Sequence, residues 1–279
     1  SILNYVVLLK NIFLSFIFLK KYNRNYEKTC EKVLHENKPK DFENKSHTEL
    51  VRQYKILENK LATDWLAPLL NGFFAMLFFS LLRKTFYNSR LQKHYPNFIN
   101  DILYSQGDIV SVKIVRDYQA LIKELRETEE LKVFFGANSE AEIYKSISAR
   151  FPAFAQQIEQ YLDKFGVRCD EGELKMETIN YSENPLKFIA MLKSGIHNYP
   201  VNKNDTTVFD FRKIINQEYR YNPIRKFILL LLIRKTLPLI RNRENYRFTR
   251  TQIFAVVRSM FRAIDKKLLT DGKIELQGD

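Results

Sequence analysis

Four arginines fall within ten residues in RNRENYRFTR, positions 241–250, directly after the apolar run FILLLLI. Arginine is the side chain for holding phosphate or carboxylate, because its planar guanidinium offers two parallel donors and never loses its charge. On a helix running from Arg241 to Leu269, Arg243, Arg247, Arg250 and Arg258 share an arc of about 80°, and Ile253, Val256, Val257, Met260 and Ile264 fill the adjoining arc. The arginines thus border a buried seam. Two roles fit that position: pairing with acidic residues such as Asp163, Glu171 or Glu173, or facing a phosphate-bearing ligand or another domain. Proximity to Pro238 leads us to expect Arg243 and Arg247 to be tied into the fold, with Arg250 and Arg258 more open.

Other chemistry is thinly represented. No GxxxxGK[ST] or GxGxxG loop is present, so the sequence offers no backbone cradle for a nucleotide. His35, His47, His94 and His197 have no second histidine or carboxylate at metal-ligand spacing, and Cys30 and Cys169 lie far apart. Adjacent acids such as Glu129 and Glu130 read as solvated helix surface. Ser46-His47 lacks a preceding glycine, and Ser46 is better used as a helix cap. No catalytic residue, metal ligand or cofactor site is expected in this chain.

The elements that position these residues are helical. Glycine and proline number only eight each in 279 residues, too few for a turn-rich β fold, while 45% of the chain is hydrophobic. Ser46 with Glu49, and Ser139 with Glu142, have capping-box spacing. Pro185 suits the first position of a helix after Asn184, and apolar residues keep helical spacing from Ile109 to Thr128. Residues 173–179 are the best strand candidate. The expected fold is therefore mainly all-α, with eight to ten helices and at most one short strand. It forms either a single helical domain over 1–279 or two helical subdomains, 1–104 and 105–279. Linkers are expected near 36–45, 104–108, 168–183 and 197–208.

Two segments are oily enough to test as membrane spans. Residues 2–19 carry Lys10 midway and a polar line of Asn4, Asn11, Ser15 and Tyr22, which predicts burial against other helices. Residues 66–82 are interrupted by Pro68, Asn71, Gly72 and Ser80, and FILLLLI (227–233) has no polar face at all. All three are expected as core helices, FILLLLI innermost, with no membrane partner and a cytoplasmic location. The excess of 45 basic over 32 acidic residues, a net +13, would attract any polyanion. No helix-turn-helix signature accompanies it, so a nucleic-acid partner is not expected.

Four stretches in order resemble phosphoenolpyruvate synthase-like and rifamycin phosphotransferase-like proteins. DWLAPLLNGFFAMLFFSLL (64–82) is similar to their Trp-x-x-Pro and Asn-x-Phe helix, and YLDKFGVRCDEGELKME (161–177) to their aromatic-Gly-x-Arg turn. ENPLKFIAML (183–192) resembles their Glu-Asp-Pro helix start. RNRENYRFTRTQIFAVVRSMFRAIDKKLLTDGKIE (241–275) resembles their Arg-Glu-Asn-x-Arg helix. Two positions depart from the pattern: Gly72 follows Asn71 where many relatives carry Asp, and the acid after Arg168 comes one residue late, at Glu173.

The resemblance implies the helical region between an ATP-grasp domain and a phosphohistidine domain, neither of which is in this sequence. Those two domains would be its partners, with a small-molecule phosphoryl acceptor as a third. ATP and magnesium would belong to the full-length, pyruvate, water dikinase-like parent and not to this segment. An acceptor-binding or scaffold role follows, without activity in isolation; the alternative is a free-standing helical interaction or regulatory module.

Overall fold

In a computed structural model the chain is described over residues 2–87, 89–105, 109–169, 172–198 and 209–273. Among these residues there are twelve α-helices and no strand. They divide into two compact units, residues 1–105 with 209–279 and residues 106–208.

The first unit contains α1 (Ile2–Glu36), α2 (His47–Asp64), α3 (Leu66–Phe86), α4 (Arg90–His94) and α5 (Phe98–Ser105), followed after the second unit by α11 (Phe211–Glu218) and α12 (Pro223–Thr270). A 3-10 turn over Pro39–Phe42 occupies the expected 36–45 linker. α2 starts at the expected capping box: Ser46 N–H donates to Glu49 Oε2 over 2.8 Å, and Glu49 N–H donates to Ser46 Oγ over 3.3 Å. Asn23 on α1 meets Asn71 on α3, and Phe16 meets both Phe74 and Phe78, so these helices are antiparallel. Lys235 lies over the Phe16 ring and Tyr246 donates to Glu27, so α1 and α12 run parallel.

Two cores result. Tyr26, Cys30, Leu50 and Leu57 pack against Ile253, Val256 and Met260 of the second half of α12. Leu82, Phe86, Leu91, Phe98 and Ile102 enclose Leu229 and Ile233 of its first half.

The expectation that the oily segments are core helices fails. Along FILLLLI only Leu229 and Ile233 are buried, and Phe227 is 66% exposed. α12 buries one arc there, and the opposite arc, Ile224, Phe227, Ile228 and Leu231 at helical spacing, is open. α3 likewise buries Phe74 and Ala75 while exposing Leu69, Phe73, Met76 and Leu77. On α1, Phe13, Leu14, Ile17 and Phe18 are exposed, so its polar line does not mark a helix enclosed by others. By length and composition one helical stretch, His47–Phe86, could cross a membrane, and only 28% of its most apolar window is buried.

The second unit contains α6 (Val110–Glu127), α7 (Glu129–Ala137), α8 (Glu140–Arg150), α9 (Pro152–Phe165) and α10 (Pro185–Asn198). α8 opens on the expected Ser139/Glu142 capping box, and α10 opens at Pro185. Tyr161 stacks on Phe188 at 4.7 Å in its core. Gly195 permits close contact between α6 and α10, since a side chain there would collide with Tyr118 Oη and Ile122. Arg126 uses that approach to cap α10, donating to the Ile196 carbonyl over 2.7 Å and the Gly195 carbonyl over 2.8 Å.

The strand expected over 173–179 is a turn. Lys175 N–H and Thr178 Oγ1 both donate to the Gly172 carbonyl, which folds the segment on itself. Residues 106–108 and 199–208, within the expected linkers at 104–108 and 197–208, lie outside the described residues.

Candidate functional site

α12 continues through Pro238, so the proline that precedes the arginine stripe lies inside the same helix and does not separate the stripe from it. The structure reverses the expected split among the four arginines. Arg243 and Arg247 are exposed, Arg250 is half-buried, and Arg258 is 1% exposed. The cause is the change in surroundings along α12. Near Arg243 its outer arc is open, whereas from Thr251 onward residues on two arcs are covered: Ile253, Val256 and Met260 on one, Thr251, Ala255 and Arg258 on the other. The stripe therefore starts in solvent and ends inside the protein.

The proposed acidic partners are engaged differently. Arg168 Nε donates to Glu173 Oε1 over 3.0 Å, closing its own turn. Gly166 admits the returning chain there: Ser182 N–H donates to the Gly166 carbonyl over 2.8 Å, and a side chain at 166 would strike Ser182 Oγ. Asp163 is exposed, and Glu171 lies outside the described residues.

Two of the histidines, isolated in the sequence, have carboxylate neighbours in the fold. His94 Nδ1 is 2.9 Å from Glu218 Oε1, and His47 Nδ1 is 3.8 Å from Asp271. These pairings join residues distant in sequence, so no local spacing could signal them. Among the described residues no group of three or more His, Cys, Asp or Glu could hold a metal ion. Cys30 is no nucleophile: burial pushes its thiol up to about 11, assisted by the negative charges of Asp64, Glu27 and Glu31 and opposed by a hydrogen bond with Tyr26.

A cationic groove was not foreseen. α1 and α12 bound a cavity of about 790 Å³ lined by Lys20, Arg24, Arg234, Lys235 and Arg241 around Phe16, Leu19, Leu231 and Leu239. Lys20, Arg24, Arg234 and Lys235 are exposed, and Arg241 is half-buried. The one carboxylate in its lining, Glu27, accepts from Tyr246 Oη over 3.0 Å. Lys235 Nζ sits 5.6 Å from the Phe16 ring centroid, which orients one cation over an apolar wall.

Buried amides brace this groove. Asn23 Nδ2 donates to Asn71 Oδ1, and Asn71 Nδ2 donates to the Leu239 carbonyl over 2.8 Å, tying together the helices on which the cations stand. Pro238 lines the opposite wall and, having no N–H, cannot itself donate a helical bond to the Arg234 carbonyl. The groove can hold an anionic group on a mainly apolar body. Its volume falls within the usual range of about 300–1,000 Å³ for small-molecule sites.

Its cations are spread over positions 20–24 and 234–241, and only the parallel pairing of α1 with α12 brings them together. The legible signal is a local basic cluster on each helix, Lys20, Lys21 and Arg24 on α1 and Arg234, Lys235 and Arg241 on α12, neither of which reveals the other as its neighbour. Of the predicted stripe, no residue lines the groove. Residues 64–244 match the family model of the rifampicin phosphotransferase fourth domain. No curated protein matches the chain.

Proposed function

The chain belongs to the rifampicin phosphotransferase fourth-domain family, and we propose on that premise that it is the non-catalytic helical segment of an ATP-dependent phosphotransferase, holding the phosphoryl acceptor between α1 and α12. The observation that carries the reading is the groove's composition, with Lys20, Arg24, Arg234, Lys235 and Arg241 around an apolar floor. An acceptor site must tolerate the phosphorylated product as well as the neutral acceptor. Cations at the rim supply that tolerance, and apolar walls hold the part of the molecule that does not react. ATP, magnesium and the phosphohistidine relay belong to the partner domains of the parent enzyme, and the location is cytoplasmic. This segment contributes binding and orientation, which raise the effective concentration of acceptor beside the phosphoryl donor.

The test is calorimetric titration with 1-naphthyl phosphate and with 1-naphthol, an aromatic phosphate monoester and its parent alcohol. The phosphate should bind the chain more tightly than the alcohol. Arg24→Gln combined with Lys235→Gln should remove that preference without lowering the melting temperature, as both side chains are exposed. Equal binding of the phosphate by the chain and the double variant would exclude the groove as the site.

A further inference from the structure

We propose that the first unit docks on an anionic membrane surface through the outward apolar arcs of α1, α3 and α12. Phe13 and Ile17 on α1, Phe73 and Met76 on α3, and Ile224 and Phe227 on α12 are all large, apolar and exposed. Their spacing makes them continuous helical stripes, not scattered side chains. A core helix of a water-soluble protein would bury most of such a stretch, yet only 28% of the most apolar window in His47–Phe86 is buried.

Charge identifies the occupant. Residues 1–26, 65–100 and 219–243, which include these arcs, contain fifteen Lys and Arg and no Asp or Glu. That local +15 exceeds the net +13 of the whole chain, so the rest of the sequence is slightly acidic. Exposed apolar side chains together with a local excess of cations fit the headgroup and upper acyl region of a bilayer rich in acidic phospholipid. A second copy presenting the same surface would oppose like charge to like charge.

The placement is interfacial and not spanning: α3, which lies in the stretch long and apolar enough to cross, is held by Asn71 to Asn23 of α1 and to the Leu239 carbonyl of α12. Between Lys226 and Arg234 the apolar run of α12 is Phe227–Ile233, about 10 Å long, and Lys10 is exposed midway along the oily part of α1. A hydrocarbon core is about 30 Å thick, whereas interfacial helices enter by about 5–10 Å. Flanking lysines and arginines can extend their stems through the apolar layer and leave their charges among phosphates.

The experiment is flotation of the chain with vesicles of phosphatidylcholine alone or mixed with phosphatidylglycerol. The chain should float with the mixed vesicles and at least about tenfold less with the neutral ones. Met76→Ser with Phe227→Ser, which alters no groove-lining residue, should lower flotation at least about tenfold while leaving melting temperature and 1-naphthyl phosphate binding unchanged. Equal capture by both vesicle types would overturn the proposal, as would undiminished flotation of the double variant. Absence of flotation would also overturn it, whether the chain is monomeric or self-associates through this face. Resistance to alkaline carbonate extraction would overturn the interfacial placement.

Discussion

Asn23 on α1 and Asn71 on α3 are 3.1 Å apart, Nδ2 to Oδ1, in the interior of the first unit. Asn71 then donates to the Leu239 carbonyl, so one side chain links three helices. Substitution Asn71→Ala should cost about 1–3 kcal/mol in urea unfolding, because it leaves the Asn23 donor buried without its acceptor. A loss no greater than that of an exposed-site control would show that the pair is not holding these helices together.

The buried and exposed ends of the arginine stripe should respond unequally. Arg258→Ala is expected to destabilise by about 2–4 kcal/mol, since it removes a fully buried side chain and its polar contacts. Arg247→Glu should change stability by no more than about 0.5 kcal/mol. Chemical denaturation of the two variants decides the matter, and a larger loss at Arg247 would contradict the burial pattern.

Within FILLLLI the expected contrast lies between neighbours on opposite arcs. Leu229 is 2% exposed, and Leu229→Ala should cost about 2–5 kcal/mol. Phe227→Ala should cost less than about 0.5 kcal/mol. Similar large losses at both positions would mean that the helix is enclosed.

Cys30 should be inert in the folded chain. Its ordinary value is 9.0 and its folded value about 11, so the fold favours the neutral thiol. The associated stability is fully present below pH 9, where both states are protonated, and drains away as pH rises from 9 towards about 11. A thiol reagent at pH 8 should label Cys30 only after denaturant is added; rapid labelling of the native chain would refute its burial.

Incubation with labelled ATP or phosphoenolpyruvate should leave the chain unlabelled. Ser46 is committed to its helix cap and His47 faces Asp271, without the glycine-rich setting of a phosphohistidine motif. Stable phosphohistidine at His47 would overturn this expectation.

Local chemistry was the legible part of the fold. Ser46 with Glu49, Ser139 with Glu142, and Pro185 each mark a helix start, because a cap is satisfied within four residues. The Arg168–Glu173 pair was likewise within reach, five residues apart. What failed depended on distant neighbours. The apolar run Phe227–Ile233 reads as fully enclosed, since periodicity cannot reveal whether a second arc has a partner. Arg243 and Arg258 share one arc by helical spacing but differ in burial, because α12 is covered differently along its length. The groove was invisible for the same reason: Arg24 and Lys235 meet only through helix pairing across the chain.

The inserted second unit imposes an order on synthesis. Asn71 must wait for Leu239, 168 residues later, and Glu27 for Tyr246, 219 residues later. At about 5–20 residues per second, the ribosome takes roughly ten to forty seconds to deliver α12 after α1. Helices α6 to α10 close their contacts locally and can fold as they emerge, while α3 remains without α12, its principal partner. Through that interval the nascent chain displays its oiliest segments, so α1 and α3 are where a chaperone would engage and where aggregation would begin.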